Sequence, residues 1–222
     1  YGVMTAFCDE VHFEIHGMGA HAARPHHGND PITTAAQLIS SLYQNLPRSI
    51  DSRTPAVFTI GQIASGLAPN VIPEIAHLKG SLRSTNDQAR AVLHQRIEDI
   101  AAGIARSTGT RIEVLFQSPL PAVVNDHNIS AALEQASKDV LGVQQVGLID
   151  LPSMGGEDFS IYLQQIPGAM LRLGCARPDV KAVFLHSPYF DIDERALIIG
   201  SRIMLQTAML LSLNPRLIQK GN

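Results

Sequence analysis

The chain has 222 residues, of which 45% are hydrophobic and 17% charged, and its net charge is −3. That composition fits one large or two small globular domains and excludes a disordered or low-complexity chain. The slight acidity and the absence of a basic run exclude an electrostatic footprint for nucleic acid, and no apolar run in the sequence approaches the roughly 20 residues that would span a bilayer. Cys8 and Cys175 share no metal or redox spacing, which suits a reducing, cytoplasmic setting. A first residue that is Tyr1 rather than methionine is what a fragment would show, and equally a chain after methionine removal or processing.

In chain order, residues 11–16 alternate Val11, Phe13, Ile15 against His12, Glu14, His16, which predicts a half-buried strand. Asp30-Pro31 reads as an N-cap with proline in the first turn, and Ile32, Ala35, Ile39, Leu42 and Leu46 predict an amphipathic helix ending before Pro47. Val57-Phe58-Thr59-Ile60 predicts a second strand, and the alternation of Ala76, Leu78, Gly80 and Leu82 with His77, Lys79, Ser81 and Arg83 a third. Ala89, Leu93, Ile97, Ile100 and Ile104 stripe a second helix that ends near Gly109, and Ile112, Val114 and Phe116 mark a fourth strand. Strand, helix, strand, strand, helix, strand is the split βαβ order, an antiparallel sheet with both helices on one face.

Pro119, Pro121 and Asn125-Asp126 mark a boundary. Beyond it the pattern predicts a helix near 127–140, a short strand before Pro152, a short helix after Gly156, a strand over 169–174, and a closing helix from about Asp193 to Leu213. The second region is α/β in character but has too few strands for a doubly wound sheet of its own, as the end of a larger domain would.

Several residues have the chemistry of a site, each beside a plainer explanation. His186 sits in the loop Leu185-His186-Ser187-Pro188 before the last helix, 29 positions after Glu157 of Met154-Gly155-Gly156-Glu157-Asp158-Phe159. Loops at the end of an α/β sheet bind ligands, but a lone histidine before Ser-Pro is more often solvated. Asp191, Asp193 and Glu194 could add carboxylates, and a helix start explains them equally well. Gly155-Gly156 permits close backbone approach, or simply a tight turn. His21 lies among small residues, Gly17-Met18-Gly19-Ala20-His21-Ala22-Ala23, where an imidazole could donate to an oxyanion or stand idle in a surface loop. His26 and His27 are adjacent and make a poor chelate. Asn70, after Pro69, offers two donors and Arg83 a rigid fork, together the means to hold a carboxylate. Upstream of these there is no His-x-Asp, no Glu-Glu pair and no second ligand cluster, and hydrolytic zinc sites use about three protein ligands.

Taken jointly, Gly19-Ala20-His21-Ala22-Ala23 with Pro25-His26, Asp30-Pro31, Ala68-Pro69-Asn70-Val71-Ile72-Pro73, Met154 to Phe159, and Leu185-His186-Ser187-Pro188 through Phe190-Asp191 resemble the M20 metallopeptidase family, in its amidohydrolase branch of hippurate and auxin-conjugate hydrolases. The resemblance implies an α/β protein in which a βαββαβ ferredoxin-like lid and dimerisation domain, residues 10–118, is joined to the C-terminal part of a metallohydrolase catalytic domain. Residues 1–9 would be a connecting strand of that catalytic domain and residues 119–222 its C-terminal part. The implied reaction is hydrolysis of an N-acyl amino acid, with two divalent ions (zinc, manganese, nickel or cobalt) activating a bridging water.

On this resemblance His186 is a metal ligand, and His21 is the lid histidine that steadies the oxyanion in the partner subunit's site. Asn70, Arg83 and Gly156 line the substrate. The family's other metal ligands and its catalytic glutamate precede the position of Tyr1, and Cys8 does not replace them. The chain is therefore expected to bind metal weakly and to be inactive alone, within a parent enzyme that is a homodimer and binds neither nucleic acid nor membrane. A non-catalytic dimerisation or binding module, or an aminopeptidase of the same family, is the alternative. The reading Gly-Ala-His, where many relatives have Gly-Gly-His, is a mild departure.

Overall fold

The computed structural model describes residues 1–179, 183 and 185–218. They divide into two compact units, Thr5–Ala122 with Pro152–Asp158, and Tyr1–Met4 with Val123–Leu151 and Phe159–Asn222.

In the first unit the elements follow the predicted order. They are β2 (Phe7–His16), the two-residue β3 (Ala20–His21), α1 (Pro31–Asn45), β4 (Ala56–Ser65), the two-residue β5 (Val71–Ile72), β6 (Ile75–Ser84), α2 (Asp87–Thr108) and β7 (Arg111–Leu120), preceded in the chain by β1 (Gly2–Val3). Four long strands make one antiparallel sheet in the order β4-β6-β2-β7, so β4 and β7 are its edges. The period-2 alternation of β2 is why it holds the centre. Val11, Phe13 and Ile15 are 0–1% exposed and face α1 and α2, while His12, Glu14 and His16 take the opposite face. Leu38, Leu42, Leu78, Leu82, Leu93 and Ile97 complete that core.

Both helices begin on capping side chains. Asp30 accepts from the Ile32 N–H at 2.8 Å with Pro31 in the first turn, and Asn86 accepts from the Ala89 N–H at 2.8 Å. Gly109 ends α2 in the left-handed region at φ 67. The stripe on α1 is rotated from the expected one, since Ile32 is 43% exposed while Thr34, Ala35, Leu38 and Leu42 are buried. Pro47 falls in a 3₁₀ turn, Leu46–Arg48, continuous with the helix. At the β4 edge the N–H of Ile60 donates to the Tyr43 hydroxyl at 2.9 Å, and a bulge follows between Ile60 and Gln62.

The second unit contains β1, which pairs antiparallel with β8 (Val124–Asn125), and the helices α3 (His127–Leu141), α4 (Phe159–Leu163) and α5 (Arg195–Leu213). Asp126 caps α3 by accepting from Asn128 and Ile129. Ile129, Leu133 and Ala136 of α3 meet Ile203 of α5 in a small core, flanked by Leu171 and Leu173.

Two predicted strands are absent among the described residues. Residues 169–174 alternate as expected, yet no ladder forms, because the Asn125 side chain takes the place of a strand. Its amide accepts from Met170 N–H at 2.9 Å and donates to Met170 O at 2.8 Å. Before Pro152, Leu148 and Leu151 are 72% and 75% exposed and unpaired, and only Ser153 beyond the proline bridges Thr5. The helix α5 has a mean hydropathy of 1.6 and is long and apolar enough to cross a membrane by length and composition alone. Its described residues nonetheless include Arg202 mid-helix and bury Ala196, Ile203 and Thr207.

Candidate functional site

His21 stands on a small platform. β3 and β5 pair with Ala20 opposite Ile72 and His21 opposite Val71, and the Ala22 N–H donates to Asn70 O at 3.0 Å, so the His21 and Asn70 loops are one structure. The Ala23 N–H donates to Nδ1 of His21 at 3.0 Å. A backbone amide only donates, so Nδ1 must accept and the ring proton sits on Nε2. The imidazole is exposed and presents a fixed N–H donor. The small residues around it serve the loop itself: a Cβ on Gly28 would lie 2.6 Å from Met18 O, where the two arms of the loop pair through Met18 and Asn29.

Arg83 and Gly156 form a second cluster. Arg83 donates from Nη1 to Met154 O at 2.8 Å and from Nε to Ser81 Oγ at 3.3 Å. This ties β6 to the 152–158 loop, which Ala6 N–H also holds by donating to Gly155 O at 3.1 Å. Gly156 is required by packing. An added Cβ would meet Leu120 at 2.8 Å and Cys8 Sγ at 3.0 Å. Burial pushes the Cys8 thiol up, as suits a packing residue.

These clusters are not neighbours within this unit. Asn70 lies just before the start of β6 at Ile75, and Arg83 lies near its end. Eight strand steps of about 3.3 Å put the two ends about 26 Å apart. An N-acyl amino acid is about 10 Å long, so it does not reach both. The joint grip on one carboxylate that the residue types permit is thus not available inside a single copy of this unit.

His186 is exposed, with φ 68. The left-handed region costs a non-glycine residue about 1 kcal/mol and histidine visits it more than most. Two of the carboxylates nearby in sequence, Asp191 and Asp193, are engaged by arginines. Asp193 is gripped by the Arg195 guanidinium, which holds its carboxyl down at about 2, and Asp191 lies 3.6 Å from Arg177. Among the described residues no group of three or more His, Cys, Asp or Glu could hold a metal ion. His186 could supply one ligand, and the described residues alone do not make up the remainder of a two-ion site.

The motif reading missed a buried ionic cluster. Asp9, with a side chain 1% exposed, accepts from Arg90 Nε at 2.8 Å and Nη2 at 2.6 Å, and lies 3.0 Å from His94 Nε2. Burial pushes its carboxyl up, but the bonds from Arg90 and His94 outweigh that and hold it down at about 2. His94 also stacks on Phe116, with ring centroids 3.9 Å apart. The signal lay in parity, because Asp9 shares the core-facing register of Val11, Phe13 and Ile15.

The first unit is thus a four-stranded antiparallel sheet with two helices on one face, carrying a histidine platform at one end and an arginine strut at the other. The family model described as the peptidase dimerisation domain matches residues 9–108. A chain described as a probable hydrolase from Synechocystis sp. is 39% identical over 201 residues, 90% of this chain and 51% of that protein. The N-acetylcysteine deacetylase of Bacillus subtilis is 34% identical over 210 residues, 94% of this chain and 53% of that protein. A solved dinuclear metal-binding peptidase of the M20 family from Bacillus subtilis superposes with a TM-score of 0.72 at 27% identity, over 95% of this chain and 51% of that one. The chain belongs to the M20 peptidase family, and it spans about half the length of the curated relatives it matches.

Proposed function

We propose that this chain is part of a metal-dependent amidohydrolase that cleaves N-acyl amino acids and works as a homodimer paired through its lids. The observation that carries the reading is the Ala23 N–H bond to His21 Nδ1. It fixes the tautomer so that Nε2–H points away from the loop, as a donor to the oxygen that becomes an oxyanion when an amide is attacked. Asn70, held to the same platform, supplies further donors. Arg83 has guanidinium N–H groups beyond the two it gives to Met154 and Ser81, and these receive the substrate carboxylate. His186 is assigned to the metal centre as a single ligand.

The separation of the His21 and Arg83 ends supports the homodimer. A substrate touching both must lie between two copies, with the His21 platform of one and the Arg83 cluster of the other. The interface assigned here is β4 with α1. β4 is an edge strand, and neither element contains a charged residue.

The test is His21→Ala in the purified enzyme on N-acyl amino acids. The expected result is a fall in kcat of about 100- to 1,000-fold with the fold intact, the loss typical of one oxyanion donor. Undiminished turnover would refute the assignment. In parallel, His186→Ala should lower the metal retained after dialysis.

A further inference from the structure

Val71 is directly opposite His21 in the β3–β5 ladder. Directly paired residues of an antiparallel ladder share a face, with Cβ atoms about 4.5–5.5 Å apart, whereas the next residue along a strand turns to the other face. The immediate neighbour of the imidazole on its own face is therefore an isopropyl group. Val71 is 52% exposed, and Leu67, in the turn that leads into it, is fully exposed at 107%. From Leu67 to Val71 the turn contains no charged residue.

A carbonyl oxygen bonded to Nε2–H lies about 3 Å from that nitrogen, so the groups on its carbon come within reach of Val71. An amide carbonyl offers two such groups, the acyl chain and the nitrogen that carries the amino acid. The amino-acid side bears a carboxylate, and pressing that against an aliphatic wall removes its water without giving a partner. The acyl chain gains by burying apolar surface there.

We infer that Val71, with Leu67 beyond it, is the acyl-side wall of the substrate site and selects N-acyl amino acids whose acyl group is apolar and longer than acetyl. The inference rests on His21 being the donor proposed above.

The test measures kcat/KM of the purified enzyme on N-acetyl, N-butanoyl and N-hexanoyl derivatives of one amino acid, and on a second series that varies the amino-acid side chain at fixed acyl group. In the unmodified enzyme each added methylene should raise kcat/KM by up to about fourfold. Val71→Thr, which keeps the β-branched shape of the strand, should flatten the acyl series and leave the side-chain series unchanged. Leu67→Ala should lower only the hexanoyl value. Val92→Ala, at a valine on α2 that is 43% exposed, should leave both series as they were.

A preference for acetyl, an acyl slope indifferent to Val71, or a shift in the side-chain series instead would each overturn the inference. The two readings fail separately. If His21→Ala abolishes turnover while Val71→Thr leaves the slope intact, only the acyl wall is wrong. If His21→Ala is harmless, or no N-acyl amino acid is turned over, the donor assignment falls and the wall with it.

Discussion

The unit built on Thr5–Ala122 and the unit built on Val123–Leu151 with Phe159–Asn222 treat their apolar residues differently. In the first, every core position of β2, α1 and α2 is covered by another element of the same unit, and Phe13, Leu38, Leu42, Leu78 and Ile97 are at most 1% exposed. In the second, α5 buries Ala196, Ile203 and Thr207, while Leu197, Ile198, Met204 and Leu205 are 62–65% exposed. An amphipathic stripe is enough for a two-layer sheet-and-helix fold, whereas an all-round apolar helix needs cover on every side. The first unit thus meets its own requirements, and the second unit leaves an extended apolar surface open.

The two units should differ most as isolated pieces. Residues 5–122 expressed alone should unfold in one cooperative denaturant transition, and residues 123–222 alone should bind a hydrophobic dye and show none. Two equally cooperative transitions would erase the difference. Next in size is Asp9→Ala, which leaves Arg90 without its buried partner and should cost the first unit about 3–5 kcal/mol. The pH dependence has a definite sign. A carboxyl held below its ordinary 3.8, at about 2, contributes stability that is fully present above about pH 4 and is lost as pH falls toward 2. Denaturant midpoints of the lid should fall through that window, and in Asp9→Asn they should fall less. A smaller effect is expected at Gly156→Ala, where the clash with Cys8 and Leu120 should cost about 1–3 kcal/mol. Cys8→Ala should recover part of it, and a purely additive pair would mean the contact is not felt.

How much of this was legible in the sequence follows the same divide. Strand parity in β2 and β6, the Asp30-Pro31 cap and the Gly109 stop are local signals, and they set the order of the first unit's elements and nearly the bounds of each. The strand expected over 169–174 failed because a ladder depends on what lies alongside, and there a side chain, Asn125, does the pairing. Among the site residues, His21, Asn70 and Arg83 were visible as chemistry. Their grouping was not, since the length of β6 separates residues only thirteen positions apart in sequence. The Ala23 bond that sets the His21 tautomer has no residue-type signature, because any non-proline amide could make it.

Because β6 holds the two ends apart, a site shared between two copies can be assembled by mixing two inactive variants. His21→Ala and Arg83→Ala should each be strongly impaired as homodimers. After subunit exchange in equal amounts, half the dimers are mixed and each mixed dimer holds one site with both side chains intact, so activity should recover to about a quarter of the unmodified enzyme. A mixture that stays as inactive as its parents, with exchange demonstrated by differently tagged subunits, would contradict a site shared between two copies.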